Sequence, residues 1–424
     1  MTERAPIPDF FTDPAVIDSA QAYYRQARAI CPALHEPHHG AVMITGYDAA
    51  MEVLNHQADR FSSCNAVTGP LPPLPFVPKG DDIREQVRAH RSQMPWTDHL
   101  VTMDGADHQG LRALVQQLLT HSRLKANEEY LRGLVDRLVG RLLPRGEVEV
   151  TRGYAHALST LVIADLLGVP EEDRDELVEL MGLPPTQLGG DSAEKALTNP
   201  LTYLFDRFAG YIEERRRNPR GDFMSDLAQA RFKDGTVPDP DVPVRLATFM
   251  FGAGQDTSAR LIAFSFQVLG DNPDVQARLR ADPSRIPNFI EEVLRFENPV
   301  KTLSRLAVKP ADVAGTHIPA GEVVTVCIGG VNRDPSHFPD PDRFDIERQG
   351  VRDHISFSRG AHACLGAPLA RLEARLTLER FLRATRDIRV SEAHHGPSGA
   401  RKYTREPTYL LNGLQKLYVE WDPA

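Results

Sequence analysis

The chain has 424 residues, 41% of them hydrophobic and 25% charged, with a formal net charge of −9 at pH 7. That balance argues against nucleic acid as the main partner, because phosphate binding needs concentrated Lys and Arg. No apolar stretch reaches the ~20 residues that span a bilayer, and Met1 to Ala20 holds acids and prolines instead of a basic-then-apolar signal, so a cytoplasmic protein is expected.

In chain order, Ala15 to Ile30 reads as a helix, with Ile17, Ala20, Tyr24 and Ala27 at helical spacing. Ala41 to Thr45 reads as a short strand and Tyr47 to His56 as a helix. Residues 65–95 carry Pro70, Pro72, Pro73, Pro75 and Pro78 and read as a long irregular loop. Asp107 to Gly140, Arg152 to Leu167, Glu171 to Met181 and Leu201 to Arg217 are helical in pattern, and Thr186 to Asn199 is a polar surface connection. Val244 to Leu269 is a long apolar helix. Strand-like pieces follow near Ala307–Ala314, Val323–Ile328 and Arg389. No stretch reads as a linker, so residues 1–424 are expected to form one large, mostly helical domain. Such a domain buries about three quarters of its unfolded surface and can enclose a large cofactor.

The most informative stretch runs from Phe357 to Arg371. Gly360 permits a tight turn ahead of Cys364. Beyond it, Leu365, Leu369, Leu372 and Leu376 share one helical face. Cys364 therefore falls at a helix N-terminus, where the dipole favours a thiolate. Such a sulfur serves either as nucleophile or as metal ligand, and spacing does not decide between them. The segment, however, closely resembles the haem-binding signature of cytochromes P450, with Phe357, Gly360, His362, Cys364 and Gly366 at its defined positions. The resemblance implies a mainly α fold with small β-sheets and a haem b between the long central helix and the Cys-loop helix. Cys364 would be the iron ligand, His362 would hydrogen-bond a haem propionate, and thiolate donation would favour O–O cleavage. Ser358 departs from the glycine usual at its position.

Ala253-Gly254-Gln255-Asp256-Thr257-Ser258 interrupts the long apolar helix, and a buried acid there is costly unless satisfied. One reading is a kink in which Thr257 bonds back to an upstream carbonyl. A compatible one is that the patch resembles the family's oxygen-binding groove. By that resemblance Ala253 and Gly254 leave room for dioxygen, Thr257 donates a hydrogen bond to it, and Asp256 passes protons from solvent through water.

Three further motifs resemble the family's. Glu292 and Arg295 at i and i+3, with Arg343 as the later arginine, imply a structural brace before the cysteine. His108 and Arg112, one helical turn apart, and Arg305 imply further propionate partners. The expected activity is a monooxygenase that hydroxylates a hydrophobic small molecule (terpenoid, steroid, fatty acid or aromatic) with dioxygen and two electrons from a separate ferredoxin system. Phe249, Ala253, Thr257, Val300, Thr302, Leu303 and Tyr409 are the candidate substrate contacts. Arg359, Arg123 and Lys125 are the candidate docking residues of a chain acting as a monomer. A peroxide-driven peroxygenase is disfavoured by the presence of Asp256 and Thr257. A non-catalytic haem-dependent ligand-binding protein is disfavoured for the same reason.

Overall fold

Asp13 starts the first helix: its carboxylate accepts from the Ala15 N–H at 2.8 Å, and Pro14 takes the first helical position. The structure, a computed structural model, describes residues 7–55, 59–116, 119–181 and 201–424, without the side chains of residues 121, 202 and 203. The expected connection at Thr186–Asn199 lies outside the described residues. Helix α1 (Pro14–Asp18) ends at the extended Ser19, and α2 (Gln21–Ile30) follows, so the single helix expected over Ala15–Ile30 is two. Next come β1 (Ala33–His35), β2 (Ala41–Ile44), α3 (Tyr47–Asn55) and β3 (Phe61–Ser62). The proline-rich stretch is irregular as far as Ile83, then gives a short helix, α4 (Arg84–Ala89), that the prolines upstream had masked.

The helix expected over Asp107–Gly140 is also divided, into α5 (Gly105–Gln116) and α6 (His121–Leu142). Thr120 makes the second start, its hydroxyl accepting from the Arg123 N–H at 3.4 Å. After β4 (Glu147–Glu149), a π-helical turn at Thr151–His156 leads into α7 (Ala157–Leu167), followed by α8 (Glu171–Met181), α9 (Thr202–Arg217) and α10 (Phe223–Ala228). The long apolar helix is α11 (Asp241–Asp271), 31 residues. It is followed by α12 (Pro273–Ala281), α13 (Ile286–Phe296), β5 (Thr302–Ala307), β6 (Ala311–Val313), β7 (Thr316–Ile318), β8 (Val323–Cys327), α14 (Ile328–Val331), α15 (Ala367–Ala384), β9 (Thr385–Val390) and β10 (Tyr418–Pro423).

The chain forms two compact units, each assembled from three stretches. One comprises Met1–Gly105, Leu294–Cys364 and Arg405–Gly413. It carries a five-stranded sheet in the order β1-β2-β8-β5-β3, in which β2 and β8 are parallel, with Ile44 opposite Val326. Val42, Val53, Leu54, Phe61, Val324 and Phe338 are among its core side chains. The other comprises Ala106–Val293, Leu365–Thr404 and Leu414–Ala424, with α11 at its centre and an antiparallel sheet β4-β10-β9. Phe266 of α11 meets Phe381 of α15 edge-on at 4.8 Å, and Tyr154 closes on Phe381 at 5.5 Å. The architecture is mainly helical with small sheets, as expected. Among the described residues no helix is long and apolar enough to cross a membrane.

Candidate active site

The cysteine loop is built by backbone geometry in the first unit. Gly360 has φ +68°, and a Cβ there would lie 2.4 Å from the Leu54 carbonyl oxygen, so only glycine fits. Ser358 also takes the left-handed conformation, φ +59°, with its hydroxyl buried and unpartnered. The turn is thus kept despite the serine, at a cost in strain. The Cys364 N–H donates to the Phe357 carbonyl at 2.8 Å, which closes the loop, and the thiol is exposed. Helix α15 begins at Ala367 with Gly366 as its cap, so Leu365 precedes the helix instead of lying on its face.

His362 is half-buried, and its Nε2 lies 3.1 Å from Oγ of the fully buried Ser63. Asp104 accepts from the Ser62 hydroxyl at 2.5 Å and from the Ser63 N–H at 2.9 Å. Ser63 and Asp104 escaped the sequence reading because neither carries a local signal; only the fold brings them to the cysteine loop. Arg305 on β5 is 2% exposed. Its Nη1 donates to the Ser304 carbonyl at 2.7 Å, while its Nε is buried without a partner. Desolvation lowers its pKa to about 10 against the opposing pull of Asp104 and Cys64. A buried guanidinium with an unanswered donor is what a carboxylate-bearing cofactor would satisfy, and haem has two carboxylates.

In the second unit His108 is buried on α5 with Arg112 one turn on, half-buried. On α11 the side chains left uncovered recur at helical spacing: Phe249 half-buried, Ala253 exposed, Asp256 and Thr257 half-buried. The Thr257 hydroxyl donates to the Ala253 carbonyl at 3.0 Å. This is the back-bond to an upstream carbonyl read from the sequence, and in this arrangement the hydroxyl oxygen is left as an acceptor. Gly254 is half-buried beside them. A Cβ there would meet Ile163 Cδ1 at 3.1 Å, so its small size serves packing against α7.

Arg295 is fully buried and donates to the carbonyls of Asn332, Pro341 and Arg343 at 3.1, 2.8 and 3.2 Å. Arg343 enters through its carbonyl while its side chain is exposed, not as the guanidinium expected. Glu292 is buried on α13. The neighbouring Glu291, which the sequence reading passed over, takes a bidentate pair from Arg371 of α15 at 2.6 and 2.9 Å.

The candidate substrate contacts separate. Val300 and Leu303 are half-buried. Thr302 is 1% exposed, and its hydroxyl donates to the Tyr409 carbonyl at 3.2 Å. The Tyr409 hydroxyl donates to the Thr68 carbonyl at 2.7 Å. Both hydroxyls tie chain segments together and do not point to a ligand. Of the candidate docking cations, Arg123 pairs with Asp226, Arg359 donates to the carbonyls of Arg352 and His354, and Lys125 is exposed.

Residues 190–386 match the family model Cytochrome P450. A putative cytochrome P450 140 from Mycobacterium bovis is 35% identical over 77% of this chain and 74% of its own length. The 6-deoxyerythronolide B hydroxylase of Saccharopolyspora erythraea is 32% identical over 88% of this chain and 90% of its own. The substrate-free structure of Mycobacterium marinum cytochrome P450 CYP150A6 superposes with a TM-score of 0.92 at 48% identity, covering 99% of each chain. Fold and cysteine loop thus define a haem-thiolate oxidoreductase of bacterial type. The chain belongs to the cytochrome P450 family. It is a monooxygenase, and its family membership brings with it a haem, a substrate, dioxygen and a redox partner.

Proposed function

We propose that this enzyme hydroxylates a hydrophobic small molecule, of terpenoid, steroid, fatty-acid or aromatic type, with electrons from a separate ferredoxin and its reductase. The observation that carries the reading is the uncovered stripe of α11, where the apolar Phe249 and Ala253 stand beside the acid-hydroxyl pair Asp256 and Thr257. An apolar wall with few polar groups suits an apolar substrate. Cys364 would ligate haem b, which when bound would supply the reductive activation of dioxygen. Arg305, His362, His108 and Arg112 would neutralise its propionates. Thr257 accepts a hydrogen bond in the groove, and Asp256 carries protons in from solvent. Val300 and Leu303 line the substrate, while Glu292 and Arg295 hold the scaffold. The four cysteines form no disulfide among the described residues, which suits the reducing cytoplasm. The working unit in this reading is a monomer.

Two measurements test this. Reduced protein under carbon monoxide should show a red-shifted carbonyl band that is lost in Cys364→Ala. Product formation should require dioxygen and an electron donor; equal turnover with peroxide alone would replace this reading with the peroxygenase one. A spin-state screen across the four compound classes identifies the substrate type.

A further inference from the structure

Arg260 is a charged side chain in the buried half of α11. Every residue from Ser258 to Gly270 is buried, and the Arg260 side chain is 5% exposed. A guanidinium there is costly unless an anion meets it. Arg260 reaches back one helical turn, and its Nε and Nη2 both meet Oδ2 of Asp256 at 2.9 Å. The pair engages one carboxylate oxygen and leaves Oδ1 outside it, on a side chain that is 28% exposed. The water-linked aspartate expected from sequence is therefore also a clamped one. Thr257 has its only proton on the Ala253 carbonyl, so it needs a donor from elsewhere. Adjacent residues on a helix do not face each other, so Asp256 must act from a fixed direction through water.

We propose that Arg260 is a positioning residue for proton delivery. It holds the Asp256 carboxylate in one rotamer, with Oδ1 outside the pair and placed to take a proton from solvent and release it toward the Thr257 groove. This rests on the reading of Asp256 as the proton carrier.

The test uses the haem-loaded enzyme with a turned-over substrate and four variants: Asp256→Asn, Arg260→Gln, Arg260→Lys and the double Asp256→Asn/Arg260→Gln. The readouts are the carbonyl band, substrate affinity from the spin-state change, kcat, and the solvent isotope effect on kcat. Arg260→Gln should keep the band, and its substrate affinity should stay within about twofold, while kcat falls about fivefold or more and the isotope effect grows. Arg260→Lys should recover most of the rate. In the Asp256→Asn background, Arg260→Gln should cost nothing further, because it acts only through the aspartate. If Arg260→Gln loses haem, the lysine variant decides: wild-type affinity with a raised isotope effect supports the clamp. A slow Asp256→Asn beside an Arg260→Gln with unchanged kcat and isotope effect overturns this inference alone. An unaffected Asp256→Asn overturns the relay itself.

Discussion

Arg305 shows how one side chain can carry a cofactor's imprint. Burial works against its charge, its Nε has no acceptor, and its pKa is lowered to about 10. Replacing it by Leu removes a desolvated cation, and with it the proposed partner of a propionate. Arg305→Leu should therefore release haem about ten to a hundred times faster, as read by transfer to a haem-scavenging protein. Ser358 gives a prediction of opposite sign. It holds φ +59° with its hydroxyl buried and unpartnered. Glycine relieves both, so Ser358→Gly should stabilise the protein by about 1 kcal/mol in thermal unfolding, with the carbonyl band unchanged. The residue level was the most legible in sequence where a motif is contiguous, as from Phe357 to Gly366. It was least legible where partners come from distant strands, as with Ser63 beside His362. The Asp256–Arg260 pair lay in plain view at i and i+4. It was missed because nothing in the sequence says that the next turn is buried.

At the level of elements, α11 was legible because its apolar run is long. The breaks at Ser19 and Thr120 were not, because apolar spacing continues through both and only the cap marks the division. The same spacing hid a polar centre between helices. Glu373 on α15 is 1% exposed, accepts from the Ser159 hydroxyl of α7 at 2.7 Å and also bonds Ser258 of α11. Burial raises its pKa from 4.5 to about 8. In the unfolded chain it ionises near 4.5, in the folded one near 8. Its contribution is therefore intact below pH 4.5, falls as pH rises between those values, and is fully lost above 8. Glu373→Gln keeps the shape without the ionisation penalty. Its melting temperature should match wild type near pH 4.5 and exceed it by a few degrees at pH 8, as scanning calorimetry can measure. An advantage that shrinks with rising pH would mean the acid is charged when folded.

For the whole molecule, the division into units left no trace in the sequence, since each unit is assembled from three separate stretches and no linker joins them. Charge is legible at this scale, and it sets a problem for electron delivery. The chain carries −9, so a proposed donor of ferredoxin type that is itself acidic would be repelled at long range. Attraction has to come from local cations. On α6, Arg123 is already paired with Asp226, while Lys125 is exposed. The two forces have different ranges. At about 0.01 M salt the screening length is near 30 Å and the net repulsion reaches the approaching donor; at about 0.1 M it is near 10 Å, and contacts at close range dominate. The rate of reduction should therefore rise between those concentrations and fall beyond them, as stopped-flow mixing with a ferredoxin can follow. Lys125→Ala should lower the maximum by a few-fold and flatten the descending limb, because that limb reports the local attraction. A monotonic fall from the lowest salt, unchanged in Lys125→Ala, would place the docking surface elsewhere.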